Sequence, residues 1–355
     1  MARSRTKRKE LFFTVLLGLL LTGAALFLGE LVFRTALWWR SGRFPTQTTE
    51  DYTPWGWRAR PNFHFEGEVA DACGRGYPLE LHTDARGFRL WGDVQSCREK
   101  WWFLGDSFTH AIEVSDAEIF PRLVGDCLGV EVFAYGTRGH GTLQEWMVLR
   151  HYLDSIRPDA VVLQLHFNDF FNNDWELERN SYFNNNRRRR PYLDENGAVV
   201  FRDPAVLQLH PLDRWFRSLD FLLGKVEFYL SGRRHTRHTA AEDAIQRLGQ
   251  DYPPFRRSIA TTQHLLQRIR DELPPSTRLF LFIADAEPPY STAFRRICTE
   301  SGLPCIFGIP PALKAAEQAG QCTLASDHGH WNALGHRIAA RVLCDSLHAL
   351  LPSKP

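Results

Sequence analysis

The sequence predicts a three-layer α/β/α fold, a parallel sheet covered by helices on both faces. Three observations point there. From residue 100 onward, short apolar runs with polar exits recur. Longer segments of helical period separate them. The apolar content of 44% is enough for a substantial core.

The elements follow in chain order. "MARSRTKRKE" is basic and leads into "LFFTVLLGLLLTGAALFLGELVF", Leu11 to Phe33. A bilayer-crossing helix needs about 20 apolar residues, so residues 1–39 read as a basic tail and a transmembrane signal anchor. Glu30 lies near the far end, and Trp38 and Trp39 are placed at the outer headgroups. Arg and Lys before the span put the N-terminus in the cytoplasm and the rest of the chain outside it. Two alternatives compete. A cleaved signal peptide would end after Thr22-Gly23-Ala24, although the apolar run continues past that point. A buried core helix would show a polar face at helical spacing, and none recurs.

Residues 40–99 are rich in Pro, Gly and aromatics. "HTDARGFRLWG" has the turn chemistry of a β lead-in. From 100 to 355 the expected strands are "WWFLGD", "VEVFAYG", "DAVVLQLHFND", "RLFLFIAD" and "LPCIFG". The expected helices are Asp116–Leu128, Leu143–Ile156, Phe255–Leu273 and Asn332–Leu350. Such alternation implies parallel strands with crossover helices.

Residues 170–250 break the rhythm and read as an insertion after the third core strand. "PYLDENGAVVF" is expected to form a hairpin turning at Asn196-Gly197. The insertion sits at the C-terminal edge of the sheet, where open α/β sheets bind ligands. Arg187–Arg190 are either a solvated charge cluster, the simpler reading, or a meeting point for an anionic substrate or lipid headgroups.

The formal net charge is +2, which gives no sign of nucleic-acid binding. Seven cysteines include no CxxC pair, so a zinc ribbon is not expected. Outside the cytoplasm, Cys73 with Cys97 and Cys298 with Cys305 are the disulfide pairs that suggest themselves. The simpler reading makes several of them small core residues, Cys127 and Cys344 above all. An odd total leaves at least one unpaired within the chain.

Four segments carry candidate chemistry. Gly105-Asp106-Ser107 follows a strand and places Ser107 at a helix start. There its N–H points outward and negative charge is favoured. That suits both a nucleophile and an oxyanion donor. The tripeptide alone arises by chance in roughly one chain of this length in ten, and in isolation an ordinary turn with a helix N-cap is the better reading. "DHGHWNALGH", Asp327 to His336, offers a base in His330 and an orienting acid in Asp327. His328 is a competing base. A metal site of Asp327, His328, His330 and His336 is the sharper rival, without a recognisable ligand spacing to support it. "AYGTRGHGT", Ala134 to Thr142, and "HFND", His166 to Asp169, follow two further strands and so share the sheet edge of Ser107. Glycine allows close approach of a backbone N–H, and an Asn amide supplies another donor. Four such pieces at strand ends are harder to dismiss than any one.

In this order, the "GDS", "GTRGHGT", "ND" and "DxxH" blocks resemble the SGNH/GDSL hydrolase superfamily, and more narrowly its membrane-anchored bacterial members. The match spans roughly residues 100–170 and 277–350. The resemblance implies a flavodoxin-like sheet, Ser107 as nucleophile, His330 as base and Asp327 as its acid. The Ser107 and Gly139 N–H groups and the Asn168 amide are the implied oxyanion donors, and no cofactor or metal is implied. The pattern departs from the family at two places. His166 stands two residues before Asn168, where Gly is usual, and Ala134 stands where Asn opens the second block. His166 and His140 are the candidates for contact with substrate. Gly136 and Gly141 compete with Gly139 within the same loop. "HWNALGH" also resembles alginate-type polysaccharide acetylation proteins, whose catalytic Ser follows the Asp-His motif instead of preceding it.

The α/β-hydrolase fold is the rival architecture, sharing the order Ser, acid, His. Its GxSxG elbow fails at Thr109, although Asp285 would serve as its acid. The expected activity is a serine esterase or O-acyltransferase on acyl, foremost acetyl, esters of envelope or exported glycans. Its catalytic domain would stand in the periplasm on an inner-membrane anchor. The expected partners are the membrane and an acylated carbohydrate or small ester, with no nucleic acid. Trp175, Tyr182 and Phe183 either stack on sugar rings or, as the simpler reading has it, pack the insertion. The alternative function is a non-catalytic scaffold or glycan-binding module on the same fold.

Overall fold

The computed structural model describes residues 2–41, 44–181, 188–203, 218, 219, 221, 222, 226, 240–284 and 287–351, without the side chains of 2–11 and 37–41. Tyr182, Phe183, Arg187, Asp285 and the side chains of Trp38 and Trp39 lie outside the described residues. The chain divides into two units. One comprises Met1–Phe44 and Val206–Gly232; the other comprises Pro45–Ala205 and Arg233–Pro355.

In the first unit α1, Ala2–Ser41, contains a stretch at Phe12–Ala36 long and apolar enough to cross a membrane, a property that signal sequences share. Its apolar side chains face outward all round, as expected where lipid is the solvent. Glu30 is the exception. It is buried, accepts from Arg34 Nε at 2.7 Å one turn on, and accepts from the Ser218 N–H at 3.0 Å.

The second unit holds the sheet. Two antiparallel hairpins come first, β1 (Thr49–Tyr52) with β2 (Gly56–Ala59) and β3 (His64–Ala70) with β4 (Gly76–His82). The turn in "TDARG" closes because the Asp84 carboxylate accepts from the Arg86 and Phe88 N–H groups, with Gly87 at φ 93°. β5 (Leu90–Trp91) then joins the main sheet, so the lead-in and the sheet fall within one unit.

The core strands are β6 (Lys100–Gly105), β7 (Glu131–Gly136) and β8 (Ala160–Leu165). Between them run α2 (Ser107–His110), α3 (Phe120–Leu128) and α4 (Thr142–Ile156). After β8 come α5 (Asn168–Asn172), α6 (Trp175–Asn180), the hairpin β9 (Arg190–Leu193) with β10 (Val199–Arg202), and α7 (Ala241–Leu248). The chain closes with α8 (Pro253–Glu272), β11 (Arg278–Ile283), α9 (Tyr290–Ser301), β12 (Cys305–Ile306), α10 (Ile309–Gln318) and α11 (Ala333–Leu350). The sheet order is β12-β11-β8-β6-β7-β5, parallel except for β5. The five parallel strands thus have the flavodoxin-type order 2-1-3-4-5.

Strand alternation builds two cores. Trp102 and Leu104 face α4, α8 and α9 through Leu149, Ile259 and Phe294, while Trp101 and Phe103 face α3, α10 and α11 through Val124, Leu313 and Leu343. Helices therefore cover both faces. All six residues of β8 are buried, which explains its unbroken apolar reading.

The helix expected from Asp116 begins instead at Phe120, where Pro121 opens the first turn. Asp116 is held in the preceding loop, accepting from Arg89 Nη2 at 2.7 Å and from the His82 N–H. The 170–250 region contains the hairpin expected at Asn196-Gly197, with Gly197 at φ 74°. The first unit also draws on Val206–Gly232, a grouping the sequence pattern does not reveal.

Cys298 pairs with Cys305 as expected, but Cys73 pairs with Cys322 and Cys127 with Cys344, leaving Cys97 free and exposed. The Cys73–Cys97 pairing and the reading of Cys127 and Cys344 as lone core residues are corrected accordingly. Partners more than 200 residues apart in sequence leave no local spacing to read.

Candidate active site

β6 ends at Gly105, and Ser107 opens the single turn of α2. Asp106 caps that turn, its carboxylate accepting from the Phe108 N–H at 3.0 Å. Gly105 is required sterically, because a Cβ there would lie 2.4 Å from Gln164 Oε1 and 2.5 Å from Thr109 Oγ1. Those same two atoms bond each other at 3.0 Å, and Gln164 Oε1 accepts from the Asp106 N–H. The turn is thus fastened to β8 from beneath.

The second piece arrives from just before α11. Asp327 Oδ1 accepts from the N–H groups of Gly329 and His330 at 3.1 and 3.0 Å, an Asx turn that fixes its carboxylate beside the His330 ring. His330 Nδ1 donates to Asp327 Oδ2 at 2.5 Å. That assignment leaves Nε2 to accept from Ser107 Oγ, 2.8 Å away. The lead-in braces this loop. Asp71 bridges Ala325, the Ala72 N–H donates to the Leu324 carbonyl, and the Cys73–Cys322 disulfide closes the connection.

Charge follows geometry. Burial pulls the His330 pKa down, but the Asp327 hydrogen bond and the charges of Glu113 and Asp327 outweigh it, and the net shift is upward. Burial pushes Asp327 up, yet hydrogen bonding and charge from His330, with the two loop N–H groups, hold it well below the usual carboxylate range.

The other expected residues are distributed unevenly. Gly139 follows β7 at φ 73°, with its N–H unpartnered among the described residues. Asn168 opens α5 after β8, and its Oδ1 accepts from His166 Nδ1 at 2.9 Å. That bond turns the amide NH₂ away from His166. A groove of about 830 Å³ opens beside His166 and His330. Its wall is largely apolar, with Phe108, Phe294, Phe307 and Leu313, and its rim carries Arg295 and Lys314.

His140 does not reach the site. It is fully buried, bonds the Trp57 carbonyl at 2.9 Å, and burial drives its pKa to about 3. The four-residue metal set fails too, because His336 is buried against Phe120 and accepts from the Phe120 N–H. His328 lines the groove, whereas it is His330 that meets Ser107. Trp175 packs on Tyr192 at 5.5 Å within the 170–250 region.

Sequence reading missed two charged residues. Arg190 is no solvated surface charge. It is buried, ion-paired to Glu178 at 2.9 Å, lies over the Trp57 ring, and donates to the Gly139 carbonyl at 2.6 Å. Glu113 is buried behind His330. A lone Glu between apolar residues in "HAIEVSD" was the available signal. With Asp327 and His330 it forms a cluster whose ligand-type atoms lie within 4.8 Å of one another. The His330 atom facing both carboxyls is Nδ1, already donated to Asp327.

No family model and no curated protein matches the chain. Solved structures do. An alpha/beta hydrolase enzyme from the metagenome of Lake Arreo, Spain, shares 16% identity over 73% of this chain and 99% of that one, with a TM-score of 0.39. A catalytic mutant of an acetylxylan esterase from Geobacillus stearothermophilus shares 14% over 72% and 97%, with a TM-score of 0.38. A lipase/acylhydrolase from Enterococcus faecalis shares 13% over 72% and 99%, with a TM-score of 0.39.

Proposed function

We propose that the chain is a membrane-anchored serine esterase or O-acyltransferase of the SGNH/GDSL type, acting on acyl, foremost acetyl, esters of envelope or exported glycans. The observation that carries this reading is the hydrogen-bond chain from Ser107 Oγ through His330 to Asp327. A serine hydroxyl needs an adjacent base to attack an ester at neutral pH.

Ser107 Oγ attacks the ester carbonyl and passes its proton to His330 Nε2. Asp327 holds the tautomer and stabilises the imidazolium. The oxyanion is received by the N–H groups of Ser107 and Gly139 and by the Asn168 amide. The imidazolium protonates the departing sugar oxygen, leaving an acyl-Ser107. His330 then draws a proton from water, giving hydrolysis, or from a second sugar hydroxyl, giving transfer.

The location is inferred from two independent features. Basic residues precede the apolar span, so the second unit stands outside the cytoplasm, in the periplasm of an inner-membrane protein. Three disulfides in that unit suit an oxidising compartment.

The test uses p-nitrophenyl acetate and a fluorophosphonate probe on the full chain in detergent, beside Ser107→Ala. Turnover and labelling that vanish in the mutant support the reading. A folded wild type that neither labels nor turns over sinks it.

A further inference from the structure

One buried acid at the site has no part in the mechanism above. Glu113 follows α2 on the nucleophile's own loop, and its side chain is 2% exposed. Its Oε1 lies 3.7 Å from His330 Nδ1 and 3.7 Å from Arg138 Nη1 and accepts no hydrogen bond among the described residues; only the residue's own backbone N–H supports the carboxylate. At that distance the contact is one of charge, not of hydrogen bonding. Asp327 meets the same nitrogen from a different segment and is 30% exposed. His330 Nδ1 is therefore faced by two carboxyls, one open to solvent and one sealed from it.

A buried carboxylate with so little hydrogen bonding is costly, so the cations around it decide its state. Arg138 is one, but it is 41% exposed and its field is screened. His110 and His336 add no positive charge, because burial keeps both neutral. The Tyr77 hydroxyl donates to the Glu113 backbone carbonyl and, pushed up to about 12 by burial and then by Glu113, stays protonated. Arg89, a buried guanidinium paired with Asp116, also feels the Glu113 charge and keeps its own charge throughout. The cation that changes is the His330 imidazolium, which on the proposed mechanism appears and disappears in each cycle.

We propose that Glu113 is a positioning residue, a second carboxylate of His330 that stabilises its imidazolium and takes over the Nδ1–H when Asp327 is neutralised. This rests on His330 being the base. No proton moves to or from Glu113 in the cycle; the Ser107 proton goes to Nε2 and on to the leaving oxygen. Burial raises the Glu113 pKa, with His330 and Arg138 pulling the other way. Its solvent-free position gives its charge more effect per ångström than that of Asp327.

The test measures the His330 pKa by NMR on histidine-labelled full chain in detergent, with the resonance assigned by His330→Gln, alongside the pH profile of kcat/KM. Glu113→Gln is expected to lower the His330 pKa by about one unit. The acid limb of kcat/KM should move down with it, while the plateau falls roughly ten-fold. Glu113→Gln should also cost at least ten-fold more in an Asp327→Asn background than in the wild type. A purely structural role would lower the plateau and leave the limb in place. Should Glu113→Gln fail to fold, Glu113→Asp keeps the charge, withdraws it by one methylene, and should shift the limb in the same direction by less. An active wild type whose His330 pKa is unmoved in a folded variant overturns this proposal alone. An inactive wild type overturns the esterase reading, which the NMR titration reports separately.

Discussion

Arg190 Nη2 donates to the Gly139 carbonyl at 2.6 Å, joining the β9 hairpin to the loop after β7. The same guanidinium bonds Gln144 Oε1 at 2.5 Å and pairs with Glu178. Glu178 in turn accepts from the Tyr192 hydroxyl. The β9 hairpin is thus wired to the loop that carries the proposed oxyanion glycine. Arg190→Ala would leave the Glu178 carboxylate buried without its guanidinium, and breaking such a pair costs about 3–5 kcal/mol. Urea unfolding should show that loss. Arg190→Lys restores charge without the planar fork and should recover only part of it.

If Ser107 and His330 act as one unit, removing either should cost about as much as removing both. Ser107→Ala, His330→Ala and the double variant are expected to lose about four orders of magnitude or more in kcat, with little change in Tm. Additive losses would mean that the 2.8 Å contact between Nε2 and Oγ is not used in turnover.

The Cys73–Cys322 disulfide should matter to activity as well as stability. It closes a span of 249 residues and ties the lead-in to the loop carrying Asp327 and His330. Cys73→Ser is expected to cost about 2–5 kcal/mol. It should also lower kcat more than Cys298→Ser, whose pair bridges only seven residues beside α9. Equal effects on kcat would show that the lead-in does not position the base.

The parts legible in the sequence are those written in local pattern. β6, β7, β8 and β11 announce themselves because a buried parallel strand is apolar throughout. The Ser107 turn and the Asp327–His330 loop are legible because each places its chemistry within four residues. What stayed hidden depends on contacts between distant segments. Nothing near Cys73 points to Cys322, and "RRRR" looks like a solvated cluster until Glu178 and Gly139 surround its last member. His140 misled in the opposite way. It was a candidate for substrate contact, but the ring turns inward to Trp57.

Two titrations give the protein opposite pH trends. The His330 pKa is raised above 6.5, and the base must be neutral, so kcat/KM should climb as pH rises through that raised value. Asp169, behind Asn168, is fully buried, and burial followed by the charge of Asp106 pushes it up to about 7. It holds the His166 N–H at 2.8 Å and the Thr142 hydroxyl at 2.8 Å. A carboxyl whose folded pKa is raised binds more protons in the folded state, so stability falls as pH rises from about 4 to about 7. That fall amounts to at most about 4 kcal/mol. Urea midpoints of wild type and Asp169→Asn between pH 4 and 8 test it. The wild type should lose more stability across that window than the variant, and parallel curves would mean Asp169 titrates no differently folded than unfolded. Where activity rises and stability falls with pH, the optimum under load should lie below the pH at which kcat/KM alone peaks.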